Sequence, residues 1–160
     1  MADHALVRRA IAVAARARTN GNHPFGALLA GPDGNVLAEA ENHVVTERDP
    51  TRHAELVLVS DVARRWSAEF LSRSILYTST EPCAMCAGAI YWAGIGQVVY
   101  ALPESALLEL TGSHAENPTL SLPCREVFAR GHGDVSVTGP LLEEEARVVH
   151  EGFWQAPTRA

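Results

Sequence analysis

The chain has 160 residues and a net charge of −6, and hydrophobic residues make up 47% of it. This length is typical of one domain with its own core, so we expect a single domain over residues 1–160. No apolar run reaches the roughly 20 residues of a membrane span. Three cysteines are too few for a disulfide framework and favour a cytoplasmic location. All 13 basic residues are arginine, which excludes Schiff-base lysines and the phosphate-binding lysine of a P-loop.

Apolar periodicity and turn residues predict helices that alternate with strands. The predicted helices are 5–18, 53–66, an almost wholly apolar segment at 83–93, shorter segments near 104–110 and 122–130, and a last helix at 141–154. The predicted strands are 25–30, 36–41, 75–79, 97–102 and 135–138. Strands that alternate with helices indicate an α/β fold whose sheet is covered on both faces. Because a turn at 32–35 makes the first two strands a hairpin, the sheet is expected to be mixed.

Two short motifs form the strongest chemical signal. His53-Ala54-Glu55 is followed by Pro82-Cys83-Ala84-Met85-Cys86, and both motifs lie where helices are predicted to begin. Zinc binds four tetrahedral ligands drawn from thiolate, imidazole and water. Cys83 and Cys86 lie three residues apart at a helix start, so both sulfurs can reach an ion that His53 also binds. Three protein ligands leave the fourth position to water, which is typical of a catalytic zinc rather than a structural one.

Glu55 follows the histidine by two residues, near the metal but poorly placed to complete a closed site. A carboxylate there can take a proton from the attacking water and pass it to a ring nitrogen, then to the leaving amine. The combined pattern His-x-Glu and Pro-Cys-x-x-Cys is the signature of zinc-dependent base deaminases. We therefore predict Glu55 as the catalytic residue and His53, Cys83 and Cys86 as the ligands of Zn²⁺.

The cysteine pair has two simpler interpretations, a redox pair and part of a closed structural zinc site. A redox pair would not need the upstream His-x-Glu, and a closed zinc site would need a fourth ligand. Cys124 is the remaining cysteine, and its apolar context favours an inert core thiol. Among the other histidines, His23 and His114 lie in predicted loops, where a role in the pocket stays open.

The chain resembles the cytidine deaminase-like superfamily over nearly its whole length. Within it, the chain is most similar to the branch of bacterial guanine deaminases and tRNA adenosine deaminases. The similarity rests on Pro24-Phe25-Gly26-Ala27, Asn42, Asp49-Pro50-Thr51, the two zinc motifs, Tyr77-Thr78-Ser79 and Ile90-Tyr91-Trp92-Ala93. It implies a three-layer α/β/α sandwich around a five-stranded mixed sheet, one Zn²⁺ per chain and a homodimer.

The resemblance also implies four substrate-binding residues. Asn42 matches the family asparagine that hydrogen-bonds the base, and the backbone N–H of Ala54 matches a donor to the ring. Phe25 matches an aromatic residue that packs on the base, and Trp92 matches a wall of the guanine-type pocket. Asn42 could instead cap its loop, and Phe25 and Trp92 could be ordinary core residues.

After the zinc motifs, the resemblance to guanine deaminases becomes weaker. Guanine deaminases of this type carry an acidic residue after the fourth strand, and residues 111–119 offer only Glu116. Their C-terminal segment closes the pocket, a role that Phe153 and Trp154 could take here, although their spacing also suits packing.

Three functions remain open. The first is hydrolytic deamination of a free nucleobase or nucleoside, with guanine or a related aminopurine as the leading substrate and cytosine or another aminated heterocycle as a variant. The second is adenosine-to-inosine deamination of tRNA, and the third is an inactive zinc-binding module. The acidic charge and the lack of lysine favour a small molecule over nucleic acid, and Glu55 argues against an inactive module.

Overall fold

The computed structural model describes residues 1–155, so the last five residues of the predicted domain lie outside the described part. The helices are α1 (His4–Thr19), α2 (Ala54–Arg65), α3 (Ala68–Leu71), α4 (Ala84–Ala93), α5 (Glu104–Thr111), α6 (Cys124–Ala129) and α7 (Glu143–Val148). The strands are β1 (Gly26–Ala30), β2 (Val36–Glu41), β3 (Ile75–Thr80), β4 (Gln97–Leu102) and β5 (Ser136–Thr138).

The five strands form one mixed sheet in the order β2-β1-β3-β4-β5. β1 pairs antiparallel with both β2 and β3, whereas β3, β4 and β5 run parallel to one another. The hairpin explains the antiparallel pair, and the helical connections α4 and α5–α6 allow the parallel ones. The predicted α/β fold with a five-stranded mixed sheet is confirmed.

Each face of the sheet packs against its own layer of helices. In β1, Ala27 and Leu29 join the core beneath α2 and α4, while Leu28 and Ala30 join the core beneath α1. This alternation follows from the two-residue repeat of a strand, which sends successive side chains to opposite faces. β1 is buried throughout because both faces are covered.

Glu81 joins the end of β3 to the helices that follow β4. Its Oε1 accepts from the backbone N–H of Glu104 at 3.1 Å, and its Oε2 accepts from that of Cys124 at 2.9 Å. These residues begin α5 and α6, whose N-cap residues Pro103 and Pro123 provide no side-chain cap. One carboxylate therefore satisfies orphan donors at two helix N-termini, where negative charge is also favoured.

Two helices differ from the sequence-based expectation. α3 was not predicted, because a single turn of four residues leaves almost no periodicity. The last helix ends at Val148 rather than at residue 154, and the chain turns at Gly152, whose φ is 71°. The turn buries Phe153 and Trp154 against the rest of the fold. No helix among residues 1–155 is long and apolar enough to cross a membrane.

Candidate active site

The predicted metal ligands lie at the N-terminal ends of two helices. His53 is the N-cap residue of α2, Cys83 is the N-cap residue of α4, and Cys86 lies in the first turn of α4. Their candidate ligand atoms all lie within 4.8 Å of one another. Neither N-cap residue uses its side chain to cap its helix, so both are free to bind a metal.

The spacing of these atoms fits a tetrahedral zinc ion. His53 Nδ1 lies 3.5 Å from Cys83 Sγ and 3.7 Å from Cys86 Sγ. Bond lengths of about 2.0–2.1 Å to nitrogen and 2.3 Å to sulfur, at tetrahedral angles, give a separation of about 3.6 Å between the two ligand atoms. The one-nitrogen, two-sulfur donor set is also one that zinc prefers.

The three ligands are electrostatically coupled. A hydrogen bond from Cys86, together with the hydrogen bond with His53, lowers the pKa of Cys83 to about 4 against the opposing effect of burial. The same interaction with Cys83 raises the pKa of Cys86 well above its ordinary value, with burial adding to it. Burial lowers the pKa of His53, but its contacts with Cys83 outweigh that effect and raise it. A bound divalent cation deprotonates both thiols.

Glu55 is buried in the first turn of α2 and reaches toward β3. Its Oε1 lies 2.7 Å from Thr78 Oγ1, which lies 2.9 Å from the carbonyl oxygen of Thr80. Burial raises the pKa of Glu55, while the hydrogen bond with Thr78 opposes this shift. A carboxyl group whose pKa lies above its ordinary value is better suited to take up and return a proton near neutral pH.

A cavity of about 260 Å³ opens beside these groups. His53, Glu55 and Cys83 line its inner side. The other lining residues are Phe25, Pro50, Thr80, Glu81, Met85, Glu104, Leu107, Glu116, Asn117, Pro118, Thr119 and Leu120. The cavity is slightly smaller than the roughly 300–1,000 Å³ of pockets for drug-sized ligands.

Of the predicted substrate-binding residues, Phe25 lines this cavity. Its ring packs against His150, with ring centroids 5.4 Å apart, and against Trp154 at 6.1 Å. Ala54 is buried as the first residue of α2, where a helix leaves its backbone N–H groups without intrahelical partners. Both substrate-binding roles stay predictions.

Asn42 and Trp92 lie elsewhere. Asn42 is buried, and its Oδ1 accepts from the backbone N–H of Val44 at 3.0 Å, which is the alternative loop-capping role. Its contact with a base stays a prediction. Trp92 is 85% exposed on α4 and is not among the cavity-lining residues. The alternative that Trp92 is a core residue is wrong, because this side of α4 faces outward. Its role as a wall of the pocket stays a prediction.

Glu116 is the candidate for the acidic residue that guanine deaminases carry after the fourth strand, and it lies at the cavity. Glu116 lines it, and Glu116 Oε1 lies 3.2 Å from His23 Nε2. His23 is buried and also packs against Trp154, with ring centroids 5.3 Å apart. Trp154 donates from Nε1 to His150 Nδ1 at 3.0 Å. Phe153 and Trp154 therefore pack behind Phe25 and His23 rather than line the cavity of this chain.

The roles of several side chains at the site are not indicated by any sequence motif used above. Thr78 is in the resembling segment, but only the fold brings its hydroxyl to Glu55, 23 residues earlier in sequence. Thr80, Glu104 and Thr119 line the cavity although no motif includes them. Cys124 is a buried thiol, as predicted, and burial raises its pKa to about 12.

A histidine and two cysteines in tetrahedral spacing, with a buried carboxyl group beside them and a cavity in front, define a zinc-dependent hydrolase that activates water. The family profile described as the cytidine and deoxycytidylate deaminase zinc-binding region matches residues 1–102. The chain belongs to this family and is a zinc-dependent deaminase.

Individual relatives have different substrates. The chain is 40% identical over 152 residues to a probable cytosine deaminase of Schizosaccharomyces pombe, covering 95% of this chain and 92% of the relative. It is 42% identical over 102 residues to a guanine deaminase of Bacillus subtilis, covering 63% and 65%. A tRNA-specific adenosine deaminase of Haemophilus influenzae is 36% identical over 98 residues, covering 61% and 57%. Among solved structures, a guanine deaminase from Nitrosomonas europaea superposes with a TM-score of 0.78 at 26% identity, covering 97% and 86%.

Proposed function

We propose that this deaminase hydrolyses the exocyclic amine of a free nucleobase or nucleoside and releases ammonia, with guanine as the leading substrate. The observation that carries this proposal is the cavity of about 260 Å³ that His53, Cys83 and Glu55 line together with Phe25. Its size suits one heterocyclic base beside the metal. Phe25 provides an aromatic face for that base, as predicted for the family.

The charge distribution also favours a small molecule. Nucleic-acid affinity depends on arginine and lysine side chains that contact phosphates. This chain has no lysine, and many of its arginines already pair with carboxylates. Those in such ion pairs are Arg8, Arg9, Arg16, Arg52, Arg65 and Arg147.

In this proposal Glu55 moves the protons of the reaction. Zinc, when bound, supplies a water molecule made acidic enough to attack the carbon that bears the amine. Glu55 accepts one proton of that water and gives it to the ring nitrogen, then takes the remaining proton from the added hydroxyl and transfers it to the amine, which leaves as ammonia. Thr78 orients the carboxyl group through the 2.7 Å hydrogen bond to Oε1. His53, Cys83 and Cys86 hold the metal.

Glu116 is the second acidic group of the proposed mechanism. It lines the cavity and is held by His23, whose Nε2 lies 3.2 Å from its Oε1. This arrangement fits the role that an acidic residue after the fourth strand has in guanine deaminases, and it favours guanine. Cytosine is the second candidate because a relative covered over 92% of its own length is a probable cytosine deaminase.

A substrate panel tests the proposal. Zinc-loaded protein is incubated separately with guanine, guanosine, cytosine, adenine and an RNA anticodon stem-loop that carries a target adenosine. Ammonia and the deaminated product are measured in each reaction. We expect turnover of at least one small molecule, fastest for guanine, and none of the stem-loop. Inosine formation in the RNA without activity on any small molecule would contradict the proposal.

We also propose that the protein acts as a homodimer in the cytoplasm. Trp92 stands exposed on α4 beside the partly exposed, apolar Met85 and Ala89, a surface that suits contact with a second chain. The free cysteines suit a reducing compartment. Light scattering should give twice the chain mass, and Trp92→Glu should give the mass of one chain. A wild-type protein that stays monomeric would contradict the dimer.

A further inference from the structure

Buried polar atoms without partners are concentrated at the cavity. Among residues 1–155, Thr80 Oγ1, Glu104 Oε2, Thr119 Oγ1 and His150 Nε2 are buried and have no hydrogen-bond partner. Thr80, Glu104 and Thr119 all line the cavity. A folded protein loses stability for every buried polar atom that it leaves unpaired. Three such residues around one cavity indicate hydrogen bonds that a ligand completes.

Glu104 is the most informative of the three. It is the first residue of α5 and is only 8% exposed. The nearest carboxylate, that of Glu81, is already engaged by the backbone N–H groups of Glu104 and Cys124. Both oxygens of Glu81 thus already accept from the backbone, and no hydrogen bond joins Glu81 to Glu104 Oε2. The backbone N–H of Glu104 is therefore capped by Glu81, whereas Oε2 of its own buried side chain has no hydrogen-bond partner.

We propose that Thr80, Glu104 and Thr119 form a polar subsite that hydrogen-bonds the edge of the bound base, and that Glu104 is its specificity-determining residue. The inference rests on the proposed function because it takes the ligand to be a base beside the metal. The two threonine hydroxyls can both donate and accept, so they tolerate different groups. The carboxyl group of Glu104 is more selective.

The electrostatic surroundings indicate which ligand group Glu104 selects. Burial, with contributions from the charges of Glu81 and Cys83, raises the pKa of Glu104 to about 8. At neutral pH the carboxyl group therefore keeps its proton and can donate it in a hydrogen bond, as a carboxylic acid in an apolar site does. The subsite then takes a base with an acceptor on that edge, either a ring carbonyl oxygen or an unprotonated ring nitrogen.

Three variants test this assignment. Glu104→Leu removes both oxygens at similar volume, Glu104→Gln keeps a donor, and Glu109→Gln changes an exposed glutamate of the same helix as a control. The measurements are kcat and KM for guanine and cytosine, together with the melting temperature and zinc content. Glu104→Leu should raise KM by about 10- to 100-fold, the loss expected for one buried hydrogen bond. Glu104→Gln should restore most of the affinity, and Glu109→Gln should match the wild type.

The melting temperature separates substrate binding from a structural role. Glu104→Leu removes an unpaired buried oxygen, so its melting temperature should equal or exceed that of the wild type. An unchanged KM in Glu104→Leu, or a rise in KM accompanied by lower melting temperature and lost zinc, would overturn the subsite. The proposed function fails in a different way, if the wild-type protein deaminates none of the free bases or nucleosides.

Discussion

Residues 1–102 and residues 103–155 contribute different parts of the same site. The first region holds the predicted metal ligands and Glu55 at the starts of α2 and α4, and it is the region that the family profile matches. The second region contributes the opposite wall of the cavity, through Glu104, Leu107 and residues 116–120. We therefore expect metal binding and the proton transfers of Glu55 to depend on the first region, and the choice of substrate to depend mainly on the second, which also contains Glu116.

The two regions are also built differently. The predicted metal ligands lie at the starts of α2 and α4, which pack against each other, and α2 also packs against strands β1 and β2. The wall between α5 and α6 is an irregular loop, in which Ser113 has a φ of 58° and residues 112–123 form no helix or strand. Loops tolerate substitution better than the elements they join. The relatives carry different substrate names, and we expect this loop to contribute to that difference.

The largest expected effect is loss of the metal from the first region. Cys83→Ala removes one of three ligands, so we expect the protein to lose both its zinc and all measurable turnover. Elemental analysis and ammonia release measure the two quantities. Cys124→Ala is the matched control, because Cys124 lies in the core with a thiol whose pKa is about 12. A fully loaded, active Cys83→Ala protein would show that the ligand set is wrong.

Glu55→Gln should separate metal binding from chemistry within the same region. The amide keeps a hydrogen-bonding group for Thr78 but cannot shuttle protons, so kcat should fall by about 10²–10⁴-fold while zinc content stays unchanged. Loss of zinc in this variant would instead make Glu55 a ligand.

The second region should be the more sensitive of the two to acid. Burial, and to a smaller extent the charge of Arg18, lowers the pKa of His150 to about 4. An unfolded histidine has a pKa of about 6.5, so the unfolded state binds more protons between these values and stability falls as the pH falls. The loss approaches about 3 kcal/mol near pH 4.

Urea unfolding of the wild type and of His150→Asn, between pH 7.5 and pH 4, measures this loss. The asparagine can still accept the hydrogen bond from Trp154 but does not titrate. The free-energy difference between wild type and variant should shrink on acidification. Parallel pH curves would show that His150 does not contribute.

Thr78→Val should have a smaller effect, confined to the chemical step. It removes the hydroxyl that contacts Glu55 and leaves the shape of the side chain. A lost hydrogen bond of this kind corresponds to about a tenfold decrease in kcat, with KM nearly unchanged. Thr78→Ser keeps the hydroxyl and should retain most of the activity; a Ser variant as slow as the Val variant would indicate a packing role.

The sequence was most informative where function depends on local spacing. The two short motifs predict the metal ligands, and the apolar periodicity predicts all five strands. Each of these signals is set by residues close together in the chain. Trp92 lies outside the cavity of the described chain, which the sequence does not reveal because α4 is apolar on nearly every side. Glu104 reaches the site through the parallel pairing of β3 with β4, and Thr78 reaches Glu55 through the contact of β3 with the start of α2; no local pattern encodes either.

The division between reaction and substrate choice is tested most directly by the ratio of kcat/KM for guanine to kcat/KM for cytosine. It is measured in the wild type, in Thr78→Val from the first region, and in Thr119→Val and Glu116→Gln from the second. We predict that Thr78→Val lowers both values of kcat/KM by the same factor and leaves the ratio unchanged. Thr119→Val and Glu116→Gln should change the ratio. A ratio that shifts in Thr78→Val and stays constant in both variants of the second region would contradict this account.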